Sequence, residues 1–266
     1  MTDAAIQIAQ NSAFERVARA GYVFSGLLHV IIGYLAIRIA LGIGGGSADQ
    51  SGALAALSAK PGGNIALWAA AIALLIMALW RLAETALGRS TDPKNQGTMP
   101  EILDRAKAFA LAVVYLGFAH STLGFARSAG KSTGHQNSAL SARLMQSASG
   151  TVVLIVGGVI IVAVGGYHIY KGASRNFLDD LKGTSSDLVR RLGVIGYIAK
   201  GLVIVGAGVL VIIAASLSEP DKATGLDGAL KTLGAQPYGA ILLILAGLGI
   251  ITYGLYSFGM ARYTKM

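Results

Sequence analysis

Cysteine is absent from this chain of 266 residues, and charged residues make up only 13% of it. The first absence excludes disulfides, thiolate metal sites and cysteine nucleophiles. The second, together with 54% hydrophobic residues and 36 glycines, makes the chain too apolar and too rich in small residues for an ordinary soluble domain. The composition therefore predicts a polytopic membrane protein.

Catalytic signatures are also missing. The sequence has no Gly-x-Ser-x-Gly nucleophile elbow, no Walker loop and no His-Glu-x-x-His motif. Asp179 and Asp180 are adjacent but fall in a polar linker, and the apolar stretches contain no pair of carboxylates. We therefore predict that the protein is not an enzyme and has no catalytic residues and no dedicated metal site.

Six long apolar stretches fill most of the chain. Each is close to the roughly 20 residues that a helix needs to cross the apolar core of a bilayer. Backbone polar groups inside a membrane must find partners within the segment, so these stretches are predicted to be helices, and the whole fold all-α. The stretches cover residues of about 20–42, 64–87, 108–128, 150–170, 193–215 and 238–260.

The six stretches form three tandem copies of a two-helix unit, with boundaries at 1–98, 99–184 and 185–266. The even-numbered stretches align without a gap at a spacing of 88 residues, which superposes three sets of positions. Copies that enter the membrane in the same direction are related by rotation about the membrane normal, so we expect a pseudo-threefold bundle. The three sets are Pro61, Ser149 and Pro237; Ala78, Gly166 and Gly254; Trp80, His168 and Tyr256.

The three outer loops, about 43–63, 129–149 and 216–237, each carry apolar residues at a spacing of three just before the next crossing. This spacing predicts a short helix lying on the membrane surface in each loop. Asp49 and Asp227 are the residues that we expect to cap two of these helices.

Basic residues flank the helix ends about two to one in favour of the side that holds both termini. This asymmetry predicts cytoplasmic termini. The formal net charge of +9 then fits a cytoplasmic rim in contact with anionic lipid headgroups. Nucleic acid is excluded as a partner because no basic stripe is interleaved with aromatic residues.

The odd-numbered helices share the pattern Gly-x-x-(His/Ile)-x-x-x-Gly. Residues at i, i+3 and i+7 lie on one helix face, and glycine faces are common contact surfaces between membrane helices. We therefore expect these glycines to pack against another helix, and His29 and His120 to point into protein. The pattern comprises Gly26, His29 and Gly33; Gly117, His120 and Gly124; Gly201, Ile204 and Gly208.

A neutral imidazole at mid-membrane needs a hydrogen-bond partner. Three interpretations of His29 and His120 stay open: a structural bond to a backbone carbonyl or to Ser25, Ser121 or Thr122; a proton relay or polar solute contact; and ligation of haem or a metal by the two histidines.

Lys200 lies about seven residues into the fifth predicted helix. Its amine either extends to the cytoplasmic headgroups or faces the bundle, where it would contact an anion or carboxylate. Trp80, His168 and Tyr256 are expected at the cytoplasmic interface, where amphipathic aromatic side chains are common. Arg81 and Glu84, three residues apart, predict an ion pair near the same surface.

Arg16, Gly21-Tyr22 and Gly26 in the first copy match Arg191, Gly196-Tyr197 and Gly201 in the third. This pattern resembles the DUF1206 family, bacterial six-helix membrane proteins of unknown function built from three two-helix repeats. The second copy departs from it, with Ala112-Val113 in place of Gly-Tyr. The resemblance implies a cytoplasmic-membrane location and the three repeats, and it implies no catalytic residue in this chain.

Three functions fit these features. The first is a non-catalytic accessory or structural module, with a membrane protein as its possible partner. The second is a transporter or channel-like bundle with a solute or proton pathway near the repeat axis, involving His29, His120 and Lys200. The third is a haem- or metal-binding protein, with His29 and His120 as ligands; a lipid-modifying enzyme ranks last because no nucleophile can be named.

Overall fold

A computed structural model describes residues 12–43, 46–87, 98–182 and 186–264, and all regular structure in these ranges is helical. Six long helices carry the apolar stretches, each with 22–31 residues apolar enough to cross a membrane, which confirms the predicted six-helix fold. They are α1 (Ser12–Ala40), α3 (Gly63–Leu87), α4 (Thr98–Ala126), α6 (Ala148–Ala173), α7 (Asp187–Leu217) and α9 (Gly239–Tyr263).

Three short helices occupy the outer loops, one in each copy, as the spacing of apolar residues predicts. They are α2 (Gln50–Ser58), α5 (Thr133–Leu144) and α8 (Leu226–Gly234). Their apolar residues pack on protein: Leu54 of α2 and Leu230 of α8 are almost completely buried. The side chain of Arg16, which belongs to the family pattern, lies outside the described part of the chain.

The chain divides into two compact units that group helices from different copies. Residues 57–130 of the first unit contain α3 and α4, and the second unit contains residues 22–56 and 131–266. Within these units α3 packs on α4, α6 on α7, and α9 on both α7 and α1. The second helix of each copy thus pairs with the first helix of the next, and the last pairs with the first. A pseudo-threefold arrangement stays a prediction.

The predicted alignment at a constant spacing of 88 residues is wrong for the middle copy. At the start of α3, α6 and α9, a Cβ added at Gly63, Gly150 or Gly239 would strike a carbonyl of the preceding short segment. These glycines are therefore equivalent, and they are 87 and 89 residues apart. The middle copy is displaced by one residue, so that Gly165, not Gly166, corresponds to Gly254.

The two predicted caps differ. Asp49 precedes α2 and its Oδ1 accepts hydrogen bonds from Ser51 Oγ (2.6 Å) and Gly52 N (3.0 Å), which confirms it as a cap. Asp227 is not a cap, because α8 begins one residue earlier, after Gly225. Its carboxylate instead accepts from Ala48 N (2.8 Å), and so joins the α1–α2 loop to α8.

Candidate functional site: a polar cluster beside a glycine seam

Helices α1 and α9 approach each other through four glycines, which we call the α9/α1 seam. A Cβ added at Gly26 would lie 2.8 Å from the Gly254 carbonyl oxygen, and one at Gly254 would lie 2.7 Å from the Gly26 oxygen. Gly33 and Gly247 contact each other in the same reciprocal way. The pairing runs in opposite directions along the two helices, so they are antiparallel, and their backbones touch at two levels seven residues apart.

Helices α6 and α7 repeat this geometry in what we call the α6/α7 seam. A Cβ at Gly201 would lie 2.7 Å from the Gly165 oxygen, and one at Gly208 would lie 2.8 Å from the Gly158 oxygen. We call the two glycines of the repeated pattern in α1, α4 or α7 the glycine stripe of that helix. The stripes of the first and third copies both face a neighbouring backbone. Helix α7 of the third copy packs on α6, the second long helix of the second copy. Helix α1 of the first copy packs on α9, the second long helix of the third copy.

The second-copy stripe differs from the prediction. A Cβ at Gly117 would meet nothing within 4 Å, one at Gly124 would make only ordinary contacts with the loop that follows it, and His120 is exposed. Helix α4 instead buries its opposite face, because small residues there allow close packing as well as glycine does. That face consists of Ala108, Ala112, Ala119, Thr122 and Ala126.

His29 lies between the two glycine levels of α1. Its Nδ1 is 2.7 Å from the Ser25 carbonyl oxygen, to which it donates, and its ring packs 4.8 Å from the ring of Tyr253 on α9. This is the backbone-carbonyl bond considered for it from the sequence. With the proton on Nδ1, Nε2 is an acceptor in the neutral ring.

Lys200 also contacts Tyr253. Its Nζ lies 3.9 Å from the centre of that ring, within cation–π distance, instead of extending along α7 to the headgroups. Lys200 is 13 residues from the start of α7, or about 20 Å along the helix. Among the described residues no carboxylate pairs with it, and the six apolar stretches contain a single acidic residue, Glu84, which pairs with Arg81 at 2.6 Å.

Aromatic rings continue from Tyr253 towards the side on which α7 begins and α9 ends, which we call the terminal side. The ring of Tyr197 on α7 meets that of Tyr253 edge to face (5.3 Å between centroids) and stacks on that of Phe177 (5.4 Å). Lys171 of α6 lies 5.7 Å from the Tyr197 ring and pairs with Asp180 at 2.6 Å. A row of polar aromatic side chains thus links the rim of the second unit to Lys200.

Two of the three residues predicted at the interface are partly buried. Trp80 donates its indole N–H to Glu84 (3.0 Å), and the His168 ring lies 5.8 Å from that of Tyr197. Tyr256 is different: it is fully buried, because Phe177 from the short turn after α6 packs against it. Its hydroxyl has no hydrogen-bond partner among the described residues.

Tyr253, the residue that contacts both His29 and Lys200, is not predicted from the sequence. Its only local signal is its position three residues before Tyr256, which puts both rings on one face of α9. His29 and His120 belong to different compact units. The described ranges contain no group of three or more histidine, aspartate or glutamate side chains arranged to hold a metal ion.

The chain belongs to the family described as Domain of Unknown Function (DUF1206), whose profile matches it three times, at residues 20–88, 106–175 and 195–264. The three matches coincide with the three copies. The chain is also similar to an uncharacterized protein of Bacillus subtilis (strain 168), YxxB, with 29% identity over 260 residues that cover 95% of this chain and 92% of the relative. No solved structure matches it. It is thus a multi-pass membrane protein of a family without an assigned activity.

Proposed function

We propose that the protein is a non-catalytic module of the bacterial cytoplasmic membrane, acting as an accessory or structural component with both termini in the cytoplasm. The observation that carries this proposal is the double backbone contact in each of the two glycine seams. Helices locked at two levels form a rigid scaffold, because a packed interface does not deform continuously. A scaffold of this kind presents its outer helix faces to lipid or to a partner membrane protein.

The chemistry of the polar residues supports a non-catalytic role. His29 uses its Nδ1 proton for the Ser25 carbonyl, so the Ser25 hydroxyl, 3.4 Å from the same nitrogen, faces a protonated atom and not a base. Among the described residues of the seam, no carboxylate accompanies the ring. A general base needs a reacting proton within hydrogen-bond reach and a group that orients it for that task. The His29 arrangement orients the ring towards Tyr253, a packing partner.

Topology is tested by single cysteines, for which the cysteine-free chain is an ideal background. Ser174→Cys lies just after α6 and Gln236→Cys just before α9. In intact cells we expect a membrane-impermeant maleimide to label Gln236→Cys only, and Ser174→Cys only after permeabilisation. The reverse result would place the termini outside.

The second candidate is a proton or solute pathway, which the polar row from Lys171 through Tyr197 and Tyr253 to Lys200 favours. On the far side of Lys200, the α9/α1 seam closes with the contact between Gly33 and Gly247. A pathway would have to open this contact.

A flux assay separates the two candidates. Purified protein is reconstituted in liposomes that contain a pH-sensitive dye, and a potassium diffusion potential is applied with valinomycin. If the protein is a non-catalytic module, we expect the same proton leak as in protein-free liposomes. We also expect chemical crosslinking in native membranes to yield one recurrent partner in fixed stoichiometry. A saturable flux that Lys200→Met abolishes would replace the module by the pathway.

A further inference from the structure

We propose that the polar cluster around Lys200 is a binding site for the phosphate or carboxylate group of a small anion. The ligand that fits it best is an anionic amphiphile whose headgroup enters from the terminal side. The inference deepens the proposed function by giving the module a ligand class, and it rests on the membrane location in that proposal. The cluster consists of Lys200, Tyr253, His29 and Tyr197.

The central observation is that Lys200 has no counter-ion among the residues that the structure describes. Lys200 lies near the middle of the long helix α7, and its amine contacts the face of the Tyr253 ring. A ring face satisfies part of an ammonium group, since such a contact contributes about 0.5–2 kcal/mol. Removing a charge from water costs several kcal/mol, so the remaining N–H donors need an acceptor.

Among the described residues, no carboxylate pairs with Lys200. Lys171, which lies against the Tyr197 ring at the edge of the cluster, pairs with Asp180 at 2.6 Å and so shows how this protein satisfies a lysine that it uses structurally. Lys200 has no such partner among the described residues. An anion from outside the chain would complete its coordination in the way that Asp180 does for Lys171.

A buried hydroxyl without a partner lies next to the cluster. The hydroxyl of Tyr256 is buried without a hydrogen-bond partner among the described residues, and its ring is 5.5 Å from that of Tyr197 and 6.2 Å from that of Tyr253. A buried hydroxyl without a partner is uncommon in proteins. Tyr256 is therefore a second polar group, beside Lys200, that a bound anion would satisfy.

The position of the cluster between the terminal-side rim and the membrane-spanning helices favours an amphiphile as the ligand. Lys171 and Asp180 mark the terminal-side rim, and Tyr197 and Tyr253 connect that rim to Lys200 with polar aromatic side chains. In the opposite direction the contact between Gly33 and Gly247 leaves no room even for a Cβ atom. We therefore expect a ligand to enter from the terminal side, with its charged group directed at Lys200 and its apolar part against the helices.

The cluster is also confined to one junction. Ser25 in α1 and Leu116 in α4 occupy the position of Lys200, and Val164 in α6 occupies the position of Tyr253 when the glycine seams are superposed. The other copies therefore cannot form this pair. Packing alone does not explain it, because the α6/α7 seam makes the same backbone contacts with Val164 in the position of Tyr253.

The test uses the full chain, purified in mild detergent and delipidated. Phosphatidylglycerol and phosphatidylcholine with the same acyl chains are added separately, and bound lipid is counted by native mass spectrometry while the thermal midpoint is followed by tryptophan fluorescence. Inorganic phosphate and glycerol phosphate serve as free anions. We expect one phosphatidylglycerol to bind at least tenfold more tightly than phosphatidylcholine.

The variants are Lys200→Met, Lys200→Arg and the matched control Lys171→Met. Lys200→Met should lose the tight lipid and the rise in thermal midpoint, whereas Lys200→Arg and Lys171→Met should keep both. Circular dichroism and gel filtration verify folding, and Lys200→Arg keeps the test decisive if the methionine variant unfolds, because its charge predicts retained binding.

The free anions identify the source of the phosphate group. A shift with lipid alone assigns the site to a headgroup, and an equal, Lys200-dependent shift with inorganic phosphate assigns it to a soluble anion. Equal lipid binding by the wild type and Lys200→Met, or equal binding of both lipids, overturns the inference. These outcomes are independent of the flux assay, so the module and its ligand can fail separately.

Discussion

The α9/α1 and α6/α7 seams have the same backbone contacts but different residues between their glycine pairs. In α7, Ile204 lies between Gly201 and Gly208, whereas in α1, His29 lies between Gly26 and Gly33. The glycines fix the distance between the helices, and the residue between them is then free to vary. The α9/α1 seam uses this freedom to place an imidazole against Tyr253, which also holds Lys200.

The comparison shows that packing and chemistry are carried by separate positions. In the α6/α7 seam the residues between the two glycines of each helix are apolar, so that this seam only packs the two helices together. In the α9/α1 seam a polar cluster has been added without any change in the backbone contacts. Substitutions at glycines should therefore affect both seams alike, and substitutions between them should affect only the polar one.

The largest effect is expected from filling the glycine contacts. Gly33→Leu and Gly208→Leu each insert a side chain where a Cβ already collides with a backbone carbonyl. A backbone cannot move aside as a side chain can, so we expect both variants to lose several kcal/mol and to yield little folded protein. Thermal unfolding in detergent and gel filtration measure the loss.

The control for this prediction is Gly117→Leu, at the first glycine of the same pattern in the second copy. A Cβ there meets nothing within 4 Å, so its thermal midpoint should stay close to that of the wild type. If Gly117→Leu were as damaging as Gly33→Leu, the distinction between packed and unpacked stripes would be wrong.

A smaller effect is expected at the end of the α9/α1 seam that lies opposite the terminal side, where Asp227 holds the α1–α2 loop. Its carboxylate accepts from Ala48 N (2.8 Å) and from Lys231 Nζ (2.7 Å), and it is buried. Asp227→Ala leaves the Ala48 amide without a partner, at a cost of about 1–3 kcal/mol in unfolding free energy. The effect should show in SDS titration of the purified protein.

Asp227→Asn is the control, because its side-chain oxygen can still accept from Ala48 N. We expect it to recover most of the lost stability. Equal loss in Asp227→Asn and Asp227→Ala would show that charge, rather than this hydrogen bond, holds the loop.

The smallest effect is expected from His29→Ile, which gives α1 the residue that α7 carries between its glycines. Since Ile204 is accommodated in the same geometry, the unfolding free energy should change by less than about 1.5 kcal/mol. Ile204→His, the reciprocal change, should be worse, because Val164 takes the place of Tyr253 beside it. A comparable loss of unfolding free energy in the two variants would contradict the proposed difference between the polar α9/α1 seam and the apolar α6/α7 seam.

Much of the fold follows from the sequence because it depends on local patterns. Hydropathy defines the six helices, since each must satisfy its own backbone in an apolar environment. The spacing of apolar residues identifies the three short helices, and Asp49 caps α2 as its position predicts. Arg81 and Glu84 form the expected ion pair because they are one turn apart on α3.

The parts that could not be predicted depend on which helix faces which. In α4, alanines such as Ala112 and Ala119 offer a second small-residue face opposite Gly117, and the glycine pattern alone does not say which face is used. Tyr253 meets His29 only because the last long helix packs on the first, across more than 220 residues of sequence. The same long-range pairing turns Asp227 from an expected cap into a link to Ala48.

The most direct test of the polar seam is a double-mutant cycle between Lys200 and Tyr253. The unfolding free energy is measured for the wild type, Lys200→Met, Tyr253→Leu and the double variant in the same detergent, without added lipid. The 3.9 Å contact predicts a coupling energy of about 0.5–2 kcal/mol between the two positions. Strictly additive effects would contradict the account, because they would mean that the amine of Lys200 does not rest on the α9/α1 seam.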